Sequence, residues 1–376
     1  MKFGALILVA VLAAMPLFAL PNMIRLGYPN CMSCHVTPQG GGLLNTYGKG
    51  IDAAQSWRAE EYKPSSIRLA EFLRAGGRVD QDFRVVTWEQ VNAVTNGAMT
   101  GINRSRFFYR NVTTLGKGFR ISAIVSGEPD PILRKPKAYD PVVRPGGLFA
   151  ASAMLSYRPK EGMEFAAGRD MLPQGLIIPD QTTFIKARNR LGYYDVPTQA
   201  KAIFWGKRWL VAPFAFAPSY RELRPARESG GGFMAEADLL GKGKTIVGIN
   251  ALRGSDHLGH RAMTGVYTRL GFGSWGILAE HDLTQRHLNQ AARFAQQATY
   301  LQTFRYWKEW LATSVILERL SVQQPYSEHL WAYKGDVTAR LSQNFTVSLR
   351  AGTQRDVRTG AFNPIASAQL TMKSVN

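Results

Sequence analysis

From about residue 80 to the C-terminus, apolar and polar positions alternate in short stretches, the period of a strand with two unlike faces. In Ala366–Lys373 the even-numbered positions are apolar and the odd-numbered ones polar. Phe345, Val347, Leu349 and Ala351 alternate with Thr346, Ser348, Arg350 and Gly352, and Phe119, Ile121, Ala123 and Val125 alternate with Arg120, Ser122 and Ser126. Further strands are expected to begin near Arg104, Leu148, Met163, Gln199, Trp209, Phe233, Thr245, Met263, Trp275, Trp310 and Val337, between clusters of Gly, Pro, Asp and Asn. Strands of this length with their connections divide roughly 290 residues into about sixteen units. The pattern therefore predicts a mainly β fold, a transmembrane β-barrel of about sixteen antiparallel strands over residues 81–376. A soluble sandwich would also show one apolar face per strand, but it needs fewer strands.

Aromatic residues gather near the predicted strand ends: Phe107, Phe108, Tyr109, Tyr193, Tyr194, Trp205, Trp209, Tyr306, Trp307 and Trp310. Such belts mark the two interfaces of a membrane barrel, where an amphipathic ring sits between lipid and water.

The first residues follow another rule. Met1-Lys2 precede an apolar run from Phe3 to Leu20, and Leu17-Phe18-Ala19 offers small residues for cleavage after Ala19, so residues 1–19 read as an export signal. A retained anchor is the competing reading, since a spanning helix needs roughly 20 apolar residues. Beyond Leu20 charged residues recur every few positions, so no further apolar stretch is long enough for a spanning helix. Ile67, Ala70, Phe72, Leu73 and Ala75 fall at helical spacing before Gly76-Gly77, and Gly40-Gly41-Gly42 opposes both helix and strand. Residues 20–80 thus read as a small, partly helical module ahead of the barrel.

That module contains both cysteines of the chain, in Cys31-Met32-Ser33-Cys34-His35. Two thiols three positions apart can each add to a vinyl group of one haem, while the imidazole of the next residue reaches its iron. Cys31, Cys34 and His35 are accordingly the candidate residues for one covalent haem c, with His35 the metal ligand. A redox disulfide would need a βαβ setting that is not legible here, and a closed zinc site would need further cysteines. The second axial ligand is not legible: His257, His260, His281, His287 and His329 belong to the barrel region, and Met23, Met32 and Met99 are nearer in sequence. No candidate acid, base or nucleophile marks a substrate pocket, so the chemistry points to electron transfer, with peroxide or nitrogen-oxide chemistry at an open iron as the enzymatic competitor.

Forty-six Lys and Arg against twenty-seven Asp and Glu give a formal charge of +19. The basic residues are scattered singly, which argues against a nucleic-acid arm. At polar strand positions, Arg120, Lys201, Arg269, Arg340 and Arg350 would point into the barrel and make its interior attract anions.

A single Cys-x-x-Cys-His near the mature N-terminus, the loop Thr37-Pro38-Gln39-Gly40-Gly41-Gly42 and one large barrel together resemble the outer-membrane porin-cytochrome c fusions associated with extracellular iron oxidation. The resemblance implies a monohaem module in or beside a pore in the cell outer membrane, in contact with lipid. It further implies electron passage between an extracellular donor or acceptor and a periplasmic cytochrome or other carrier, with ferrous iron as one donor. A basic pore would repel a dication, which favours an anionic complex, a mineral surface or a protein as partner. An anion-conducting porin whose haem module is a plug or sensor is the alternative.

Overall fold

The computed structural model describes residues 22–28, 31–36, 43–63, 78–93, 99–128, 147–178, 180, 183–191, 196–218, 228–257, 259–289, 293–323 and 327–375. The export signal, the triple glycine, the helix expected over Ile67–Ala75, and Tyr193 and Tyr194 lie outside them.

Sixteen strands run in chain order around one closed barrel, each antiparallel to its neighbours. They are β1 (Arg78–Ala93), β2 (Met99–Gly116), β3 (Phe119–Glu128), β4 (Gly147–Lys160), β5 (Met163–Arg169), β6 (Thr198–Trp205), β7 (Trp209–Ala217) and β8 (Ser229–Asp238), followed by β9 (Thr245–Asp256), β10 (Gly259–Phe272), β11 (Trp275–Leu288), β12 (Phe294–Lys308), β13 (Leu311–Gln323), β14 (Glu328–Arg340), β15 (Phe345–Asp356) and β16 (Phe362–Val375). The last strand closes on the first with Asp82 opposite Val375 and Asn92 opposite Ile365. Closure leaves no strand edge with unpaired N–H and C=O groups. The strand beginning at Phe294 is one the alternation did not single out.

Inside and outside follow the pleat. Along β10, Arg261, Met263, Tyr267 and Arg269 are buried in the lumen while Ala262, Thr264, Val266 and Phe272 face outward. Phe119, Ile121 and Leu349 also face outward and exposed, as their alternation predicts. One end of the barrel carries tight turns, such as Gly116–Gly118, Gly273-Ser274 and Glu309-Trp310; the other carries the long connections. Trp209, Trp275 and Trp307 form an exposed belt near the tight-turn end, with the Arg305 guanidinium 3.8 Å from the Trp307 ring centre and 5.1 Å from that of Trp275. Trp205 and Tyr306 do not join this belt: both point into the lumen and are buried. Their strand-end position suited a belt equally well, and only the register decides which face they take.

The inner face of the wall carries many polar side chains, as the alternation suggests, and inserted segments pack against it. The described residues of the connection between β5 and β6, 170–178, 180, 183–191 and 196–197, fold inward as a plug that includes the short helix α2 (Phe184–Ala187). Its Leu176, Ile178, Phe184 and Ile185 share one buried apolar cluster with wall residues Ile203, Leu210, Leu278, Phe304 and Ile316. Each such side chain contributes about 1.5–3 kcal/mol on leaving water. Polar contacts fix the plug's path: Leu176 N–H donates to Glu280 at 2.7 Å, Phe184 N–H to Glu318 at 2.7 Å, and Asn189 Nδ2 to Asp282 at 2.7 Å. A plug backbone removed from water needs such acceptors, because unpaired buried N–H groups cost about 1–3 kcal/mol each.

The basic residues expected to face inward do so, and each has a carboxylate partner. Arg120 pairs with Glu164, Lys201 with Asp170, Arg269 with Glu236, Arg340 with Asp52, and Arg350 with Asp336 and Asp180. The pairing is not one to one: Glu164 also takes Arg158 and Asp52 also takes Lys373, so basic charge remains in excess at these two places.

A candidate haem-attachment site in the barrel mouth

Residues 22–63 do not stand ahead of the barrel as a separate body. They enter its tight-turn end and touch the wall in three directions. A 3₁₀ turn, Asn22–Leu26, lies against β10 and β11, where Ile24 joins the same apolar cluster as the plug. Gly271 of β10 permits this approach: a Cβ there would come within 2.6 Å of the Ile24 carbonyl oxygen. Arg25 is buried, pairs with Glu309 in the β12–β13 turn, and places its guanidinium 4.2 Å from the Tyr306 ring centre.

On the opposite side, helix α1 (Thr46–Ala54) faces β14 and β16. Asp52 pairs with Arg340 and Lys373, and Gln55 accepts from Arg340 at 3.2 Å. Trp57 meets Trp310 at a tilt of 41° with ring centres 5.9 Å apart, and its backbone N–H donates to the Arg340 carbonyl at 2.7 Å.

Between these anchors sits the Cys31–His35 segment. Cys31–Ser33 form a 3₁₀ turn in which the Cys31 carbonyl accepts from Cys34 N–H at 3.3 Å and from His35 N–H at 2.9 Å. One tight turn thus brings the two cysteines and the histidine together. Both thiols are free, Cys34 buried and Cys31 half-buried. Burial pushes the Cys34 thiol above its ordinary value, and Cys31 adds to the rise. Burial also pushes Cys31 up, against the opposing pull of Arg269. Both sulfurs are therefore neutral thiols at physiological pH, packed as small hydrophobes.

Helix α1 holds this turn. Asn45 caps it, accepting from Gly48 N–H at 2.8 Å, and the same side chain donates back to the Ser33 carbonyl at 3.2 Å. Asn45 N–H donates to the Cys34 carbonyl, Val36 N–H to the Leu43 carbonyl, and His35 pairs with Leu44 in a single antiparallel bridge. Gly48 faces the turn so closely that a Cβ would fall 2.2 Å from the Cys34 carbonyl oxygen. Gly48→Ala should therefore push helix and turn apart at a cost of about 1–3 kcal/mol, as overpacking does. The expected readout is faster alkylation of Cys34 in the folded protein.

Two wall networks flank the turn. Arg269 Nη1 lies 3.8 Å from Cys31 Sγ while its other terminal nitrogen pairs with Glu236 at 2.6 Å, and Tyr267 donates to the same carboxylate at 3.1 Å. Across the lumen, Arg120 donates to the Val36 carbonyl at 3.1 Å and to Glu164 at 2.5 Å, with Arg158 on the same carboxylate at 2.7 Å. Nothing in the alternation marked Arg269 or Arg120 as neighbours of the motif; their nearness depends on strand register.

The barrel histidines are remote from this turn. His260 and His287 stack on each other at the long-loop end, ring centres 4.6 Å apart, His281 meets Thr299, and His329 meets Ser321 and Ser327. Among the described residues, no group of three or more His, Cys, Asp or Glu is arranged to hold a metal ion. The donor set on the turn, two thiols and one imidazole, fits covalent haem attachment and falls short of a closed four-ligand metal site.

No family model matches the chain, and no curated protein matches it in sequence. In fold it is similar to outer-membrane porins. OmpF of Salmonella typhi aligns over 79% of this chain and 98% of its own at a TM-score of 0.61 and 8% identity. OmpT of Vibrio cholerae, in its in-vitro folded form, covers 79% and 99% at 0.58 and 10%. An anion-selective porin from Comamonas acidovorans covers 79% and 99% at 0.57 and 11%. At these identities the likeness is one of fold, a porin-like antiparallel barrel.

Proposed function

We propose that this chain is an outer-membrane electron-transfer protein in which Cys31 and Cys34 would hold one haem c by thioether bonds and His35 would ligate its iron. The observation that carries the reading is the single tight turn that gathers the chain's two cysteines and His35 inside a barrel mouth. The porin-like fold and the exposed aromatic belt support a place in the outer membrane, in contact with lipid. Each thiol would add across one vinyl group of that haem, its sulfur bonding to one carbon and its hydrogen going to the other. The bound group supplies one-electron chemistry at iron.

The protein's own residues do the rest. Arg25 and Trp57 anchor the segment to the β12–β13 turn and Asp52 anchors it to β14 and β16, Asn45 fixes the turn, and Arg269, paired with Glu236, places its guanidinium beside Cys31. A periplasmic cytochrome or other carrier reaches the site from the tight-turn end, since porin-like barrels carry their short turns on that side. An extracellular donor or acceptor, ferrous iron or an anionic iron complex among them, works from the long-loop side. The packed plug keeps the barrel from serving as an open path for that donor.

Liposomes that contain the haem-loaded protein and an enclosed redox dye provide the test. An external reductant should reduce the dye, and no transfer from a protein with an intact haem spectrum would sink the proposal. The anion-porin alternative loses ground because plug and N-terminal segment fill the lumen from opposite ends and share one apolar cluster. Planar-bilayer recording is expected to show no steady ion conductance.

A further inference from the structure

A second buried cluster lies where β9, β10 and β11 meet the plug. On the lumen face of β11, Glu280 and Asp282 are 2% and 0% exposed. One oxygen of each fixes the plug, through Leu176 N–H and Asn189 Nδ2. The other two, Glu280 Oε1 and Asp282 Oδ1, have no hydrogen-bond partner among the described residues. The two side chains stand two positions apart on the same buried face of β11. One cation, Lys186, acts on both, while its ammonium donates to the Gln174 carbonyl at 3.0 Å. Two carboxylates thus face one ammonium, and a buried charge left uncompensated is expensive.

An independent observation points to the same spot. Asn250, on the lumen face of β9, is 2% exposed, and neither Oδ1 nor Nδ2 has a partner among the described residues. It faces Asp282 across Gly265 of β10: a Cβ on that glycine would stand 2.0 Å from Asp282 Oδ1 and 2.8 Å from Asn250 Oδ1. The absent side chain leaves the amide and the carboxylate directed at one space. Gln174 Oε1, in the plug next to Gly175, is also buried without a partner among the described residues. Glu280 Oε1 in turn lies where a Cβ of Gly175 would stand.

A proton shared between Glu280 and Asp282 would supply the missing charge but would leave the Asn250 amide unanswered. A hard metal cation supplies charge and also takes Asn250 Oδ1, since such ions take carboxylate and amide oxygens together. We propose that Asp282, Glu280 and Asn250 bind a hard, oxygen-liganded metal cation that ties the plug to the barrel wall. This inference is independent of the haem reading.

The test uses the full chain in detergent micelles, stripped with a chelator and kept at constant ionic strength with choline chloride. Calcium chloride in one arm and sodium chloride in the other separate the divalent from the monovalent ion. One arm should raise the unfolding midpoint by several degrees, and Asn250→Ala, which removes a ligand without removing charge, should abolish most of that rise. Where calcium is the active arm, equilibrium dialysis should give one ion per barrel and at least tenfold weaker binding in Asp282→Asn. No rise in either arm, or the same rise in wild type and Asn250→Ala, overturns the proposal. A gain in stability of Glu280→Gln without added metal, and no response of the wild type to either salt, would identify the shared proton instead.

Discussion

Replacing Cys31 and Cys34 together with Ala is expected to remove all covalently bound haem from protein produced with a c-type maturation system. The peroxidase stain of haem should disappear from the denatured band while the barrel still folds. Either single replacement should leave a weaker stain, because one thioether remains. The barrel should survive since the segment's anchors, Arg25, Asp52 and Trp57, do not involve the thiols. His35→Ala should retain the stain and change the absorbance spectrum, because the thioethers persist while the axial imidazole is lost. An unstained wild-type band, under conditions that load a control cytochrome, would refute the site assignment.

Glu318→Ala, on β13 of the wall, is expected to destabilise the plug's attachment by about 3–5 kcal/mol, the usual result of leaving a buried charge without its partner. Glu318 is 1% exposed, accepts from Phe184 N–H at 2.7 Å and pairs with Lys334. Its removal strands the first N–H of helix α2 and leaves Lys334 with Asp180, at 4.0 Å, as its remaining ion pair among the described residues. Thermal unfolding in micelles should report the loss, with protease cleavage first inside residues 170–197. Glu318→Ala with Lys334→Ala should recover part of it, since the double change removes the uncompensated charge. Recovery of nothing would place the loss on the Phe184 N–H contact alone.

Much of the wall was legible because a strand has a period of two and a barrel makes one face of that period polar. The alternation at Phe119–Val125 and Phe345–Gly352 correctly gave outward apolar residues. The clustering of aromatics at strand ends misplaced Trp205 and Tyr306, which belong to the lumen. The alternation passed over Leu176, Ile178, Phe184 and Ile185. The available signal was an apolar-rich connection far longer than a barrel hairpin requires, and connections of that length are commonly functional.

By itself, the sequence determined the strand period, the approximate strand count and the Cys-x-x-Cys-His donor set, because each is carried by residues adjacent or nearly adjacent in the chain. Only the tertiary structure decided that the lumen is closed by two inserted segments, that Arg269 lies beside Cys31, and that the inward cations are paired. Those facts depend on register and on contacts between residues up to hundreds of positions apart, such as Arg25 with Glu309 and Asp52 with Lys373. A two-residue repeat carries no information about which distant side chains will share the space it encloses.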